Sequence, residues 1–498
     1  MIVECFKGRH MTAKKGRDKS KETGRRRFLK KGAALAGLTA MGGAPSASGQ
    51  MFQSSAAFVP EESVPSTHAW RDPWTGEQLR DPEGNLVVDW TGTPEWEAHR
   101  QTVRALGGPR YGTREKDYRL YGYRSRFVTS HRLATNGGGA NEPTAVETHF
   151  FSLLSPLQDQ LGIITPNDLH FMDEHGPVPE VDPQLHNLTI FGMVDRPLTF
   201  TMEDLMRLPS VSRIHFIQCN SNGTPGHPAR LAPWATPGDI FGELSCAEYT
   251  GVLLSTLLES VGVQKGATWF LAQADDQFNY SVSLPLAKGM DDALIAYGQN
   301  GEPLRPEQGF PVRLVVPGFQ GNNNVKRLGK IKVTNEPATF HREARTYAEQ
   351  GPDNKIRWFR FEMPPMSVIL RPSTSHPVPG EGYYEIRGLA WSGHGKVSRV
   401  EITTDGGRTW NDAQVQEPVH SKALSRFVFP WSWNGDAALI ASRCTDEVGS
   451  TQPTTAEFSE VSGADVSQFS RRIFPRMNVI QPWRIDSDGT ATNAIFSI

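Results

Sequence analysis

The sequence predicts an α+β domain followed by an all-β sandwich, behind an N-terminal export segment. Glycine and proline are plentiful (47 and 36 residues), which favours a strand- and loop-rich protein over helical bundles. Between about 166 and 345 apolar strands alternate with helical patterns, whereas from about 365 onward only short strands and turns follow one another. Regularly spaced short strands are typical of an immunoglobulin-like sandwich.

The N-terminal segment 1–48 predicts a twin-arginine export signal. Arg25 and Arg26 precede Phe-Leu-Lys and a weakly apolar run over 32–41. That run is well short of the ~20 apolar residues that a membrane span needs, so we expect no span. Because the twin-arginine pathway carries folded proteins, the signal predicts a periplasmic, cofactor-bearing protein. The competing interpretation is a disordered basic arm followed by a chance apolar stretch.

Composition excludes several classes of function. The formal net charge is −2 and the densest cluster of basic residues lies in the signal, so no basic stripe is left to bind nucleic acid. Residues 49–105 are polar and rich in tryptophan and proline, which predicts an extended N-terminal arm. No nucleotide-binding glycine motif, zinc-protease motif or serine-hydrolase motif is present. Four cysteines are too few for a disulfide scaffold.

The predicted α+β domain covers 106–345. Its expected elements are a strand over Leu188–Gly192, a helix over Met202–Leu208 that Thr201 opens, a strand over Val211–Gln218, a helix over Val252–Val261 and a buried strand over Phe310–Gly318. The sandwich covers 365–485, after a proline-rich boundary. Its expected strands are Tyr383–Leu389, Val397–Thr403, Ala413–Gln416, Arg426–Phe429 and Leu439–Cys444, with a hairpin turn at Asp405-Gly406-Gly407.

Cys219 is the strongest candidate for a metal ligand or reactive group. It follows the strand Val211–Gln218 and opens a polar loop of Asn, Ser, Gly and Pro. A thiolate is a soft ligand for a transition metal, and this position would hold it rigidly in a cleft. The alternative for an isolated cysteine is a buried thiol that packs as a small hydrophobic group.

Two stretches around these residues resemble the sulfite oxidase family of molybdopterin enzymes. Ile214–Asn222 contains the family's Cys-x-x-Asn loop, and Leu294–Leu328 contains Tyr-x-x-Asn-Gly-x-x-Leu and Pro-x-Arg-x-Val-x-Pro-Gly. Further motifs, among them Leu244–Gly251 and Gly388–Lys396, are most similar to the sulfane dehydrogenase (SoxC) branch of the sulfur-oxidation (Sox) system. The resemblance implies a sulfite-oxidase-like molybdopterin-binding domain followed by a sandwich that dimerises, hence a homodimer.

The resemblance also implies a molybdenum–molybdopterin cofactor and its contacts. Cys219 would bind molybdenum and Tyr297 would donate a hydrogen bond beside the metal, although an aromatic packing role for Tyr297 stays open. The implied cofactor-binding residues are His175, Arg313, Gly318, Gly321, Asn324 and Lys326. A structural histidine at 175 and a solvated lysine at 326 are the competing interpretations. Cys246 and Cys444 would be structural.

Departures from the family pattern bear on the substrate. Asp173 stands where the family's Phe-x-Arg-x-His motif has arginine, and Gly223 and Thr224 replace arginines after the cysteine loop. The second loss also marks the Sox branch, whereas the first does not. A dianion needs charge-assisted partners, so the loss of these arginines predicts poor binding of free sulfite. Arg327 stands where tryptophan usually follows the lysine, a change expected to alter packing near the cofactor.

The expected function is therefore oxidation of sulfane sulfur on a carrier protein by oxo transfer. The chain has no Cys-x-x-Cys-His haem motif, so electrons would pass to a separate c-type cytochrome. The alternatives are a free sulfite dehydrogenase and a non-catalytic paralogue that acts as a binding subunit.

Overall fold

The computed structural model describes residues 128, 130–134, 151–174, 177–224, 228–463, 466 and 476–498. The predicted signal 1–48 and arm 49–105 lie outside the described residues. The described residues all belong to one unit, Tyr123–Ile498.

The first part of this unit mixes strands and short helices. Its strands are β1 (Leu133–Ala134), β2 (Phe151–Leu154), β3 (Met172–Glu174), β4 (Asn187–Gly192), β5 (Leu198–Thr201), β6 (Val211–Gln218), β7 (Leu244–Leu253), β8 (Trp269–Ala274), β9 (Ser281–Pro285), β10 (Leu294–Gln299), β11 (Glu302–Pro303), β12 (Arg313–Val315) and β13 (Leu328–Thr334). Its helices are α1 (Met202–Arg207), α2 (Pro228–Leu231), α3 (Pro237–Phe241), α4 (Leu254–Val261), α5 (Leu286–Asp291) and α6 (His341–Arg345).

Three sheets organise these strands. One has the order β1-β2-β3, the second β11-β10-β7-β6 with β12 also on β10, and the third β5-β4-β13-β8-β9. Strands β6 and β7 pair antiparallel over the whole length of β6, from Val211 opposite Gly251 to Gln218 opposite Leu244. This pairing with β7 holds one edge of β6 up to its last residue, so the next residue, Cys219, starts from a fixed position.

Local sequence signals set several element boundaries as expected. Thr201 caps α1 in a capping box with Asp204, and β6 spans the predicted Val211–Gln218. The predicted helix over Val252–Val261 begins two residues later than expected, because Val252 and Leu253 pair with β10 as the end of β7. Only Arg313–Val315 of the predicted strand Phe310–Gly318 is extended.

The second part is the expected sandwich. It contains β14 (Glu349–Gln350), β15 (Ile356–Arg357), β16 (Met366–Arg371), β17 (Gly382–Trp391), β18 (Val397–Thr403), β19 (Asn411–Asp412), β20 (Gln414–Gln416), β21 (Ser425–Trp433), β22 (Ala438–Asp446), α7 (Thr455–Ser462), β23 (Pro482–Ile485) and β24 (Ala491–Asn493). The two sheets of the sandwich have the orders β16-β17-β21-β20 and β19-β18-β22-β23-β24, and β14 pairs with β15 in a separate two-stranded sheet that precedes them. The Asp405-Gly406-Gly407 turn lies in the hairpin between β18 and β19.

The two parts share one hydrophobic core. Phe241 and Leu244 of the first part belong to the same buried cluster as Met366 and Trp391 of the sandwich. The backbones also meet: a Cβ added to Gly318, which has φ +79°, would lie 2.2 Å from the carbonyl oxygen of Gly393. Because the apolar surface of each part is covered by the other, the sandwich supports the first part as well as itself.

The described cysteines are unpaired. Cys246 and Cys444 are fully buried, as expected for structural residues, whereas Cys219 is partly exposed. Within the described ranges no helix has the length and apolar character that a membrane span requires.

Candidate active site

Cys219 is held from behind by contacts that reach into the sandwich. The side chain of Gln218 is buried and accepts a hydrogen bond from the indole nitrogen of Trp391 (2.7 Å). The amide of Cys219 donates to the carbonyl of Glu243 (2.9 Å). Gly321 approaches so closely that a Cβ there would lie 2.9 Å from the carbonyl oxygen of Gln218. The end of β6 is therefore fixed on three sides.

The loop after Cys219 is closed by buried polar groups. The Ser221 hydroxyl lies 3.3 Å from Cys219 Sγ and donates to Glu243 Oε2 (2.8 Å). Arg230 forms a buried ion pair with Glu243 (3.1 Å) and donates to the carbonyls of Ser221 and Thr224. We call Gln218, Trp391, Ser221, Glu243 and Arg230 the supporting network. The supporting network holds Cys219 in place and leaves the lone pairs of its sulfur available to a metal.

In front of Cys219 lies a cleft that is open to solvent. Its described lining residues come from β3, β6, β8, the loops beside β12 and the end of α6: His170, Phe171, Asp173, Glu174, Ile217, Cys219, Ala274, Asp276, Phe278, Tyr280, Gln308, Arg313, Gly321, Asn322, Asn324, Lys326, Arg327 and Tyr347. Residues separated by more than 150 positions thus meet around one thiol.

Asp173 is the charged group placed beside the thiol. Its Oδ2 lies 4.0 Å from Cys219 Sγ. Burial, and then the charge of Glu243, raises the pKa of Asp173 to about 6. Burial and the carboxylates of Glu243 and Asp173 also raise the pKa of the Cys219 thiol. Only a ligand that brings positive charge, such as a metal ion, would stabilise a thiolate here.

Five charged side chains on one wall of the cleft compensate one another. Glu174 accepts from Lys326 Nζ (2.9 Å) and from Arg327 Nη2 (2.9 Å), and Arg327 also meets Asp276 (3.2 Å). Although burial opposes ionisation of Glu174, the charges of Lys326 and Arg327 hold its pKa below its usual value. We call Asp173, Glu174, Asp276, Lys326 and Arg327 the charged cluster.

Lys326 has no donor left for a ligand. Besides Glu174, its ammonium donates to the carbonyls of Asp173 (3.0 Å) and Glu307 (2.7 Å). An ammonium has three donors, and all three are used. Lys326 is therefore neither the solvated lysine nor the free phosphate ligand that the sequence left open.

Arg313 is different. Its guanidinium is buried and donates to the carbonyls of Gln308 (3.0 Å) and Asn324 (3.2 Å). Within the described part of the chain it makes no ion pair, and its Nε is buried without a partner. An unsatisfied, uncompensated guanidinium in the wall of a cleft suits an anionic ligand group.

The structure brings five of the predicted residues to the cleft: Cys219, Arg313, Gly321, Asn324 and Lys326. The amide side chain of Asn324 is used inside the loop, where it accepts from Val316 and donates to the carbonyl of Gln320. Gly318 packs on the sandwich and does not line the cleft. His175 lies outside the described residues.

Tyr297 is not among the described residues that line the cleft. It packs against the buried cluster of β4, β8 and β13, at a point where the pairing of β10 with β7 shifts register. The aromatic packing role fits this position, and the hydrogen bond beside the metal stays a prediction.

Two other tyrosines supply the phenols of the cleft. Tyr280 and Tyr347 both line it, and their hydroxyl oxygens lie 3.4 Å apart. Burial raises the pKa of Tyr347 to about 12, so its hydroxyl stays protonated and able to donate. Sequence reasoning missed both, since neither lies in a recognised motif. Tyr347 follows α6, 21 positions after Lys326.

Comparison with known proteins agrees with this site. Residues 175–341 match the family described as "Oxidoreductase molybdopterin binding domain", and residues 357–471 match "Mo-co oxidoreductase dimerisation domain". Mitochondrial sulfite oxidase of Mus musculus is 32% identical over 296 residues, which are 55% of this chain and 52% of that protein. NADH nitrate reductase of Solanum lycopersicum is 32% identical over 61% of this chain and 38% of its own length.

One solved structure matches more completely. The sulfane dehydrogenase SoxCD from Paracoccus pantotrophus aligns with a TM-score of 0.69 and 32% identity, covering 77% of this chain and 95% of that one. The chain belongs to the sulfite oxidase family of molybdopterin enzymes. The chain spans about half the length of the curated sulfite oxidases it matches.

The molybdenum cofactor of this family fits the residues present. Cys219 offers the soft sulfur ligand, and the unpartnered Nε of Arg313 offers a donor for an anionic group. Among the described residues no group of three His, Cys, Asp or Glu side chains could hold a metal alone. A metal held by one protein thiol and otherwise by its own cofactor agrees with that arrangement.

Proposed function

We propose that the chain is the molybdenum subunit of an exported dehydrogenase that oxidises sulfane sulfur held on a carrier protein. The observation that carries this proposal is the loss of the loop arginines at Gly223 and Thr224, a change that also marks the Sox branch. Asp173, whose carboxylate lies 4.0 Å from Cys219 Sγ, removes a further family arginine, a change that the Sox branch does not share. A carboxylate beside the metal ligand repels free sulfite and tolerates sulfur in a less charged group. The likeness to SoxCD, a sulfane dehydrogenase, supports this choice of substrate.

The cysteine loop supports the same conclusion. Gly223 has φ +75°, and a Cβ there would lie 2.6 Å from the ring of Phe241. An arginine at position 223 would therefore clash unless Phe241 moved. Thr224 donates its hydroxyl to the carbonyl of Ser221 and so closes the loop. Among the described residues 219–224, the loop supplies no cation in place of the missing arginines.

When bound, the cofactor supplies oxygen-atom transfer and accepts two electrons. The sulfur gains one oxygen that derives from water, loses two electrons, and two protons are released. Cys219 would hold the metal, Arg313 an anionic part of the cofactor, and the Tyr347 hydroxyl, which accepts from Tyr280, would donate a hydrogen bond into the cleft. Buried, neutral His170 adds no charge; burial lowers its pKa to about 3.

We further propose a periplasmic homodimer that works with a c-type cytochrome. The match to the dimerisation domain supports the homodimer. The twin-arginine segment around Arg25 supports export of the folded protein. No haem motif is present in the sequence, so the two electrons need an external one-electron acceptor. Light scattering and haem staining of the native protein test these two partners.

The decisive experiment uses protein purified from a host that makes the cofactor. Molybdenum and pterin are quantified first, with about one of each expected per chain. Cytochrome c reduction is then compared with free sulfite and with a carrier protein whose cysteine bears sulfane sulfur. We expect turnover with the carrier only. Absence of both molybdenum and pterin would refute the enzyme function.

Free sulfite oxidation is the second candidate. It is favoured by the 32–33% identity to mitochondrial sulfite oxidases over the site-bearing part of the chain. Robust cytochrome c reduction at micromolar sulfite would establish it in place of the sulfane proposal.

A further inference from the structure

We propose that Glu174 is a specificity-determining residue that excludes free oxyanions from the cleft, which rests on the proposed function. Glu174 binds Lys326 and Arg327, so the charges that line the cleft are balanced. A cleft of this kind selects sulfur that is bound covalently in a group of low charge. Neither Glu174 nor Arg327 has a role in the family motifs that the sequence matches. Their pairing joins residues 153 positions apart.

The geometry of the pairing is close and buried. Arg327 presents Nη2 to Glu174 Oε2 at 2.9 Å and Nη1 to Oε1 at 3.2 Å, so both guanidinium nitrogens are engaged. The side chains of Arg327 and Glu174 are each only 5% exposed. A bidentate arginine–carboxylate pair of this kind is strong and directional, and it removes the guanidinium from competition for other anions.

The charges of the cleft therefore cancel. Three acidic side chains (Asp173, Glu174 and Asp276) and three basic ones (Arg313, Lys326 and Arg327) are among its described lining residues. Two of the cations are bound to Glu174, and Arg313 is the one without a carboxylate partner in the described structure. The cofactor's own anionic part would take up Arg313. A sulfite dianion would then meet Asp173 and no uncompensated cation.

Binding of inorganic sulfate, a dianion that cannot be oxidised further, tests this inference. Isothermal titration at low ionic strength would compare the cofactor-loaded native protein with Glu174→Gln. The matched control is Glu401→Gln, because Glu401 forms a similar bidentate pair with Arg443 (2.8 and 3.0 Å) on the sandwich. We expect about tenfold tighter sulfate binding for Glu174→Gln only, lost again at high salt.

A second variant tests the same inference if Glu174→Gln does not fold. Asp276→Asn removes the other carboxylate of Arg327 and should tighten sulfate binding by a smaller factor, about threefold. Sulfate affinity unchanged in both variants, or raised equally by Glu401→Gln, would overturn the inference. The molybdenum and pterin contents of the same samples test the proposed function. Because sulfate binding is measured without turnover, the two results are independent.

Discussion

The two sides of Cys219 differ in what their polar groups are built to do. Behind the thiol, the supporting network joins β6 to the sandwich through neutral hydrogen bonds and one buried ion pair. In front, the charged cluster sets carboxylates against cations. The first arrangement holds the sulfur in place, and we propose that the second controls which charges can approach it. On this proposal, position and selectivity depend on different residues and can be changed separately.

The largest expected effect comes from removing the thiol between the two sides. Cys219→Ser should lower the molybdenum content of purified protein from about one per chain to near zero, because a hydroxyl does not replace a soft thiolate ligand. Cys444→Ala, which changes a fully buried thiol in the sandwich, is the control and should keep its molybdenum. Elemental analysis decides, and equal loss in both variants would mean that Cys219 has no special role.

In the front wall, His170 should make the fold sensitive to acid. It is buried, bonds to Phe171 and Tyr249, and has its pKa lowered by burial to about 3 from 6.5. The unfolded chain binds a proton near pH 6.5 and the folded chain does not. Stability is thus complete above pH 6.5 and falls by about 3 kcal/mol as the pH drops to 4.

Unfolding measured from pH 8 to pH 4 checks this effect of His170. His170→Gln should make the pH dependence less steep but not flat, because His215 is also buried and burial lowers its pKa to about 4. His341→Gln, at an exposed position, should leave the pH dependence unchanged. The same slope in native protein and in His170→Gln would contradict the assignment.

In the supporting network, Trp391→Phe should loosen Cys219. The change leaves the buried Gln218 carbonyl without its donor, at a cost of about 2 kcal/mol. The matched control is Trp483→Phe, since Trp483 donates to the Ile369 carbonyl (3.0 Å) in the same core. Both should lower the melting temperature, but only Trp391→Phe should speed the reaction of Cys219 with a thiol reagent in cofactor-free protein.

The smallest effect is expected for Ser221→Ala. It removes the hydroxyl between Cys219 Sγ and Glu243 but leaves the Arg230–Glu243 pair intact. The expected loss is about 1 kcal/mol in the free energy of unfolding, with molybdenum content retained. Loss of the metal in this variant would show that the hydroxyl, and not only the thiol, is needed to hold it.

The sequence predicted the back of the site better than its front. Strand β6 and the position of Cys219 at its end follow from a local pattern of apolar residues. The helix cap at Thr201 is equally local. Tyr297 was expected beside Cys219, but it packs against the cluster of β4, β8 and β13 and is not among the residues that line the cleft. A sequence motif does not say against which neighbouring segment a residue of β10 packs.

The charged cluster shows the same limit more strongly. Asp173 and Arg327 stood out as departures from the family pattern, but their effect depends on Glu174, which was not singled out. The Glu174–Arg327 pair exists only because β3 and the start of β13 meet in the fold. Tyr347 likewise reaches the cleft from the chain after α6, outside any motif. Contacts between distant segments were the part that sequence reasoning could not supply.

The most direct test of the central claim measures sulfite turnover before and after the arginine of the family motif is restored. In cofactor-loaded protein of equal molybdenum content, Asp173→Arg should raise kcat/KM for free sulfite at least about tenfold, because a charge-assisted partner replaces a repelling carboxylate. Native protein should show little sulfite-dependent cytochrome c reduction. Native activity already high with sulfite, or unchanged in Asp173→Arg, would contradict the claim that the charges in front of Cys219 select the substrate.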